Sequence, residues 1–234
     1  MLAGRDHAGV ARYASGMHWW FNDYWQASPL FAVSWVVWVI VSITLHELSH
    51  GWMAIRCGDM HPKYSGHMTA NPLVHIPWPM AWITFGLFGF TWGLMPVNPS
   101  NFTRRYDDAR VSLAGPGMNL LLAVLCTMVV VMIDSGRFSL PPEFAEKARL
   151  VFRVGQVVNV VGVLFNLVPI PPLDGWHALS DFVPAYRELW QGERGGVIGI
   201  VATWALFWYG GAYIFEFGAE VAQWMVEVGL KVVG

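Results

Sequence analysis

"ITLHELSHGW", residues 43–52, decides how this chain folds. Residues 24–45 contain no Asp, Glu, Lys or Arg, and then His46, Glu47 and His50 arrive together. About 20 apolar residues are enough for a helix to cross the hydrocarbon core of a bilayer. An acidic side chain at the centre of such a helix costs on the order of 2.5–3.5 kcal/mol on insertion scales. Ionisable residues in such a place mark a functional site by default. On a helix, positions i and i+4 share a face, so His46 and His50 can hold one ion from one side while Glu47 projects nearby. This is the H-E-x-x-H arrangement, two imidazole ligands and a carboxylate that takes a proton from the attacking water. Zinc suits nitrogen ligands and leaves a position open at catalytic sites. It also brings a bound water to a pKa of about 7, and its charge offsets much of the cost of the buried carboxylate.

The composition agrees with a membrane setting. Hydrophobic residues make up 55% of the 234 residues and charged residues 13%, against about 25% charged in soluble domains. Mean hydropathy is +0.43. The 14 Trp and 14 Phe fit a protein whose aromatic rings gather at membrane interfaces. A net charge of −2 without a basic tract excludes a nucleic-acid partner. Cys57 and Cys126 are too few for a disulfide framework. No cleaved leader is expected, since no basic n-region runs straight into an apolar stretch with a cleavage site.

Five apolar stretches free of Asp, Glu, Lys and Arg are candidate spans: residues 24–45, 76–97, 111–133, 154–173 and 195–215. "HWWFNDYW", residues 18–25, reads as an interfacial aromatic belt. Glu216, Glu220, Gln223, Glu227 and Lys231 recur at helical steps and predict an amphipathic helix on the membrane surface or against the bundle. "SGHMTANPLVHI", residues 65–76, has the turn-and-strand look of a small hairpin or edge strand. The expected fold is therefore an all-α polytopic membrane protein, a helical bundle with a small β-hairpin or re-entrant region after the first motif helix.

A third metal ligand is needed, and Asp174 in "NLVPIPPLDGWHAL", residues 166–179, is the candidate. Pro169, Pro171 and Pro172 cannot continue an ordinary helix. Broken backbone at membrane depth survives only where it is buried in protein or lines a wet cavity. Spacing alone allows Asp174 to be either a ligand or an N-cap for the following helix. Loop positions are the default for His61 and His67, a site-shaping hydrogen bond is open to His75, and His177 either supports the metal carboxylate or sits at the membrane surface.

HELSH on one apolar segment and NLVPIPPLDG on a later one resemble the site-2 protease family of intramembrane zinc metalloproteases. "SLAGPGMN", residues 112–119, is similar to that family's Gly-Pro-x-x-Asn element, and "ANPLVHI" and "LMPVNPSNF" to its compact branch without a PDZ or CBS module. The resemblance spans roughly residues 43–180 and implies that His46, His50 and Asp174 bind Zn2+. It gives Glu47 the role of general acid and base, Asn166 that of holding the scissile carbonyl or its oxyanion, and Asn119 a substrate-binding place near the site. It further implies a substrate with a transmembrane segment, a multi-pass protein in the lipid bilayer, and a site toward the cytosolic side. The corresponding organisation is one membrane-embedded domain over residues 1–234, with an interfacial segment 1–28, a catalytic core 29–183, and C-terminal transmembrane and amphipathic helices 195–234. Two rivals stand beside it. A prenyl-protein endopeptidase type of HExxH hydrolase takes its third ligand from a downstream Glu or His. A non-catalytic metal-binding scaffold has no need of Glu47.

Both metal motifs lie toward the C-terminal ends of their segments, so the two segments must cross in the same direction, with an odd number of crossings between them. Residues 111–133 are long and uniform, whereas residues 76–97 are bounded by Pro77, Pro79 and Pro96 and interrupted by Gly86, Gly89 and Gly93. The latter are therefore expected to re-enter and not to cross. The 14 Lys and Arg then divide evenly between the two faces, and charge gives no orientation.

Overall fold

A computed structural model describes residues 19–190 and 192–234. The expected N-terminal interfacial segment falls outside the described residues up to position 18. Helix α1, Trp20–Ala27, ends at Ser28, whose Oγ accepts from Phe31 N–H at 3.3 Å and starts α2, Pro29–Arg56, with Pro29 at its first position. Two single turns, α3 (His61–Tyr64) and α4 (Pro72–His75), precede the short α5, Met80–Phe88. A 3-10 turn, Pro99–Asn101, leads to α6, Asp107–Asp134, and then α7, Pro142–Asn166. Beyond the proline-rich break come α8 (Asp174–Phe182), α9 (Pro184–Leu189) and α10 (Glu193–Ala205). A π turn, Leu206–Gly210, joins α10 to α11, Gly211–Val233.

Four helical runs are long and apolar enough to cross a membrane: α2, α6, α7 and the continuous run Arg194–Val233. The first three pack on one another, and α11 lies along α6 and α7. Small and β-branched residues fill these seams: Ala123 and Val160 meet Ala222, and Val130 and Val131 meet Val226. Outside the seams the surface is greasy. Val33, Val37, Leu120, Leu121, Leu125, Met128, Val197, Ile198 and Val201 are all exposed. Apolar area of this extent would drive association in water; in hydrocarbon it meets its own kind. The fold is an all-α integral membrane bundle. Of the two placements open to the amphipathic helix, α11 takes the one against the bundle: Gln223 Oε1 accepts from Arg153 of α7 at 2.7 Å.

The expected β-hairpin is not there. Among the described residues there is no strand. In "SGHMTANPLVHI" the Asn-Pro pair starts a helix instead: Asn71 Oδ1 accepts from Leu73 N–H at 3.1 Å, Pro72 takes the first helical position, and α4 follows. A longer stretch without helix or strand follows later, over residues 90–98.

The excursion from α2 to α6 ends where it began. Cys57 O accepts from the N–H (3.1 Å) and the hydroxyl (3.2 Å) of Thr103. Midway, Leu94 N–H returns to His75 O at 2.7 Å. Helix α5 has nine residues, about 13 Å of rise, against a hydrocarbon core of about 30 Å. The segment goes out and comes back without crossing. Its broken backbone is capped from outside: Gly86 O accepts from the indoles of Trp19 (2.8 Å) and Trp20 (3.1 Å), and Gly89 O from Trp35 (2.7 Å). The tryptophans read as an interfacial belt thus also satisfy the last carbonyls of α5, which have no partner within the helix.

Asp59 closes the base of the excursion. It is fully buried and accepts from Asn98 N–H (2.7 Å), Asn101 Nδ2 (2.8 Å) and His61 N–H (3.0 Å). Burial alone would push its carboxyl up, but these donors hold it below the usual carboxylate range. A depressed folded-state pKa contributes stability above the unfolded value of about 3.9 that is lost as pH falls through the folded value. Asp59→Asn should lower unfolding stability in detergent at pH 7 by roughly 1–3 kcal/mol, and the gap to wild type should close as the medium is acidified below about pH 4. Single cysteines at Arg56 and Arg104 should label from the same side of sealed vesicles; labelling from opposite sides would break the re-entrant topology.

Candidate metal centre

One turn of α2 places His46 and His50 on the same face, with ring centroids 4.6 Å apart. Each ring is tied down from behind. His46 Nδ1 stands 2.6 Å from Asn119 Oδ1 on α6, and His50 Nδ1 stands 2.7 Å from Val111 O, also on α6. A carbonyl oxygen only accepts, so both Nδ1 atoms carry the proton and both Nε2 atoms present lone pairs.

Those lone pairs face each other across 2.9 Å. The Asp174 carboxylate joins them, with Oδ2 3.1 Å from His46 Nε2 and Oδ1 3.4 Å from His50 Nε2. Asp174 Oδ2 is buried and has no hydrogen-bond partner. Three acceptors converging without a donor between them repel, and a shared cation is what removes the repulsion. The spacing fits zinc: four ligands at about 2.0–2.1 Å in a tetrahedron stand roughly 3.3 Å from one another. Room has been left as well. A Cβ on Gly115 of α6 would lie 2.4 Å from His50 Nε2 and 2.5 Å from His46 Nε2, so the missing side chain opens space at the mouth of the acceptor set.

Asp174 reaches this point because α7 stops at Asn166 and the prolines turn the chain into α8. It sits at the first position of α8, where no side-chain cap is made, and its carboxylate lies close enough to both imidazoles to share a metal ion with them. Gly175 lets the turn close: a Cβ there would strike Leu167 O at 2.3 Å. Helix α8 and its neighbour α9 are pinned to the start of α6 by Ala109 N–H on Asp181 Oδ2 (3.0 Å) and by Arg187 on Asp108 (3.1 Å).

Glu47 is buried one residue from His46, and the non-helical stretch 90–98 comes against it at Gly93. The approach is close enough that a Cβ on Gly93 would come within 2.3 Å of Glu47 Oε1. Glu47 has no hydrogen-bond partner among the described residues, which leaves its carboxylate available. Asn119 is committed on both sides, to His46 and, through Nδ2, to Asn159. Asn166 donates to Gly162 O of its own helix at 3.0 Å. His75 is fully buried, with Nε2 2.6 Å from Thr69 O, and its own carbonyl holds Leu94, so it shapes the loop beside Glu47. His177 lines a cavity of about 340 Å³ with Asp108, Ser180 and Arg187, and makes no hydrogen bond to Asp174. His67 lies in a loop, as the default reading has it, whereas His61 opens the helical turn α3.

Residues that sequence reasoning passed over are Asn159, Asp59, Asp181 and the carbonyl of Val111. Asn159 did carry a signal, a lone amide inside an apolar span.

Two imidazoles and an aspartate whose ligand atoms lie within 4.8 Å of one another could hold a cation, and a buried carboxylate without a hydrogen-bond partner stands beside them. An apolar helical bundle around such a group is of the class of membrane zinc hydrolases. Comparison with known proteins agrees. Residues 34–154 match peptidase family M50. YwhC of Bacillus subtilis is 36% identical over 167 residues, spanning 70% of this chain and 76% of its own. Rip2 of Mycolicibacterium smegmatis is 34% identical over 207 residues, 81% of this chain and 75% of its own. Both carry zinc-metalloprotease names. No solved structure matches the chain. The chain belongs to peptidase family M50, the site-2 protease family, and is a zinc metalloprotease.

Gly115→Ala should remove most of the bound zinc, measured by metal analysis of the purified protein, because the added methyl takes the metal's place. Gly117→Ala, where a Cβ meets nothing within 4 Å, should retain it.

Proposed function

We infer that this chain hydrolyses a peptide bond within or at the edge of the transmembrane segment of a membrane-protein substrate, as in regulated intramembrane proteolysis, with the site opening toward the cytosol. The observation that carries the reading is where the histidine pair stands: inside α2, a helix long and apolar enough to cross a membrane, with His46 ten residues, about 15 Å, before its end. The catalytic unit would be the single membrane domain, residues 29–183 holding the site and residues 195–234 supporting it.

His46, His50 and Asp174 would hold the zinc, which when bound supplies a Lewis acid for the scissile carbonyl and the attacking water. Glu47 would take the proton of that water as it attacks and pass it to the leaving nitrogen. Asn119 would hold His46 in the ligating tautomer. Asn166, at the end of α7, would steady the carbonyl oxygen after letting go of Gly162 O. A helical substrate hides its carbonyls in its own hydrogen bonds, so it must be locally extended to be cut. The non-helical stretch 90–98 beside Glu47 offers a backbone for the unwound segment to pair with. This takes the place of the edge strand expected over residues 65–76, where the chain forms turns and the single helical turn Pro72–His75.

Glu47→Gln should keep its zinc and lose about 10²–10⁴-fold in cleavage rate. Co-expression with candidate single-span membrane proteins, read by mass spectrometry of the fragments, measures this and locates the scissile bond. Identical fragments from wild type and Glu47→Gln would remove the proteolytic reading and favour a metal-binding scaffold.

A further inference from the structure

Behind His46 runs a directed chain of hydrogen bonds that crosses three helices. It starts at a backbone carbonyl, Gly155 O on α7, which can only accept. Asn159 Nδ2 donates to it at 2.8 Å. This fixes which way the Asn159 amide faces, since a flipped amide would press two oxygens together. Asn159 Oδ1 therefore points at α6, where it accepts from Asn119 Nδ2 at 2.9 Å. Asn119 is oriented in turn, and its Oδ1 is left to face His46 Nδ1 at 2.6 Å. His46 must then carry its proton on Nδ1 and present the Nε2 lone pair toward Asp174 and His50.

Each member is sealed from solvent: Asn159 is 0% exposed, Asn119 4% and His46 7%. A buried amide left without its hydrogen bond is costly, so the chain does not relax one member at a time. Gly162 leaves the room that Asn119 occupies: a Cβ there would stand 3.3 Å from its amide carbon. Asparagines in membrane bundles often serve only as glue between helices. This one differs in that its chain ends on a metal-binding ring and carries one polarity from end to end.

We propose that Asn159 is a positioning residue that fixes the tautomer of His46 through Asn119 and so sets the affinity of the site for zinc. It rests on His46 being a zinc ligand, and the test separates the two. Zinc affinity of the purified full chain in detergent is measured by competition with a metal-binding dye for Asn159→Ser, Asn119→Leu, the double variant and His46→Ala. A serine at 159 can still bond the carbonyl four residues back and so keeps the helix intact while releasing Asn119. Loss of an outer partner of a metal-binding histidine typically costs 10–100-fold in affinity, and Asn159→Ser should weaken zinc by about tenfold. In the Asn119→Leu background the same change should have no further effect. Side-chain ¹⁵N spectra of histidine-labelled, zinc-free protein should show His46 protonated on Nδ1 in wild type and a mixture of tautomers in Asn159→Ser. An equal loss of affinity in both backgrounds, no loss at all, or an unchanged His46 tautomer would each overturn the proposal. If His46→Ala binds zinc as wild type does, the ligand assignment itself has failed and not the relay.

Discussion

Three acceptor atoms held face to face in a low-dielectric interior form the constraint on which this structure turns. His46 Nε2, His50 Nε2 and the Asp174 carboxylate repel unless a cation sits among them, and in hydrocarbon that repulsion is poorly screened. Helix packing supplies the force that holds them together regardless. Val111 and Asn119 on α6 fix the two rings, and Asp181 and Arg187 anchor α8 and α9 to the same helix. Much of the binding energy of the metal is therefore returned to the fold as relief of a conflict built into it.

The topology follows from the same constraint. Ligands near the C-terminal ends of two segments meet only if those segments run in parallel, so one helix, α6, must cross between them. The apolar stretch that comes before α6 cannot also cross. It returns on itself instead, and the Cys57–Thr103 and His75–Leu94 hydrogen bonds record the return. This costs the bundle a length of irregular backbone beside the site. The same irregularity brings non-helical residues 90–98 beside Glu47, where a regular helix would have presented only side chains.

Much of this was legible in the chain. The histidine pair, the glutamate and the aspartate stand out because charged and metal-ligating side chains are conspicuous against apolar sequence, and length and hydropathy give five candidate spans, of which the directional constraint sets residues 76–97 aside. The re-entrant loop was legible too, through Pro77, Pro79, Pro96 and the glycines, though only after the directional constraint had been imposed. The hairpin was misread because Asn-Pro serves equally as a turn and as a helix start, and local sequence does not say which. Asn159 and Asp181 were missed for a different reason: their partners, Asn119 and Ala109, lie 40 and 72 residues away, and no local pattern encodes a contact at that separation.

The tryptophans show how such a bundle tolerates broken backbone next to lipid. A carbonyl left open in hydrocarbon costs several kcal/mol, and the end of α5 leaves several. An indole suits that place, since its ring is apolar and its single N–H reaches an acceptor without bringing a second polar atom. Trp19, Trp20 and Trp35 supply three such donors to Gly86 and Gly89. Because Trp35 belongs to the motif helix itself, the loop that covers Glu47 is fastened to the helix that carries Glu47. Displacing the loop to admit a substrate would then expose Gly89 O until the substrate or water replaced the indole.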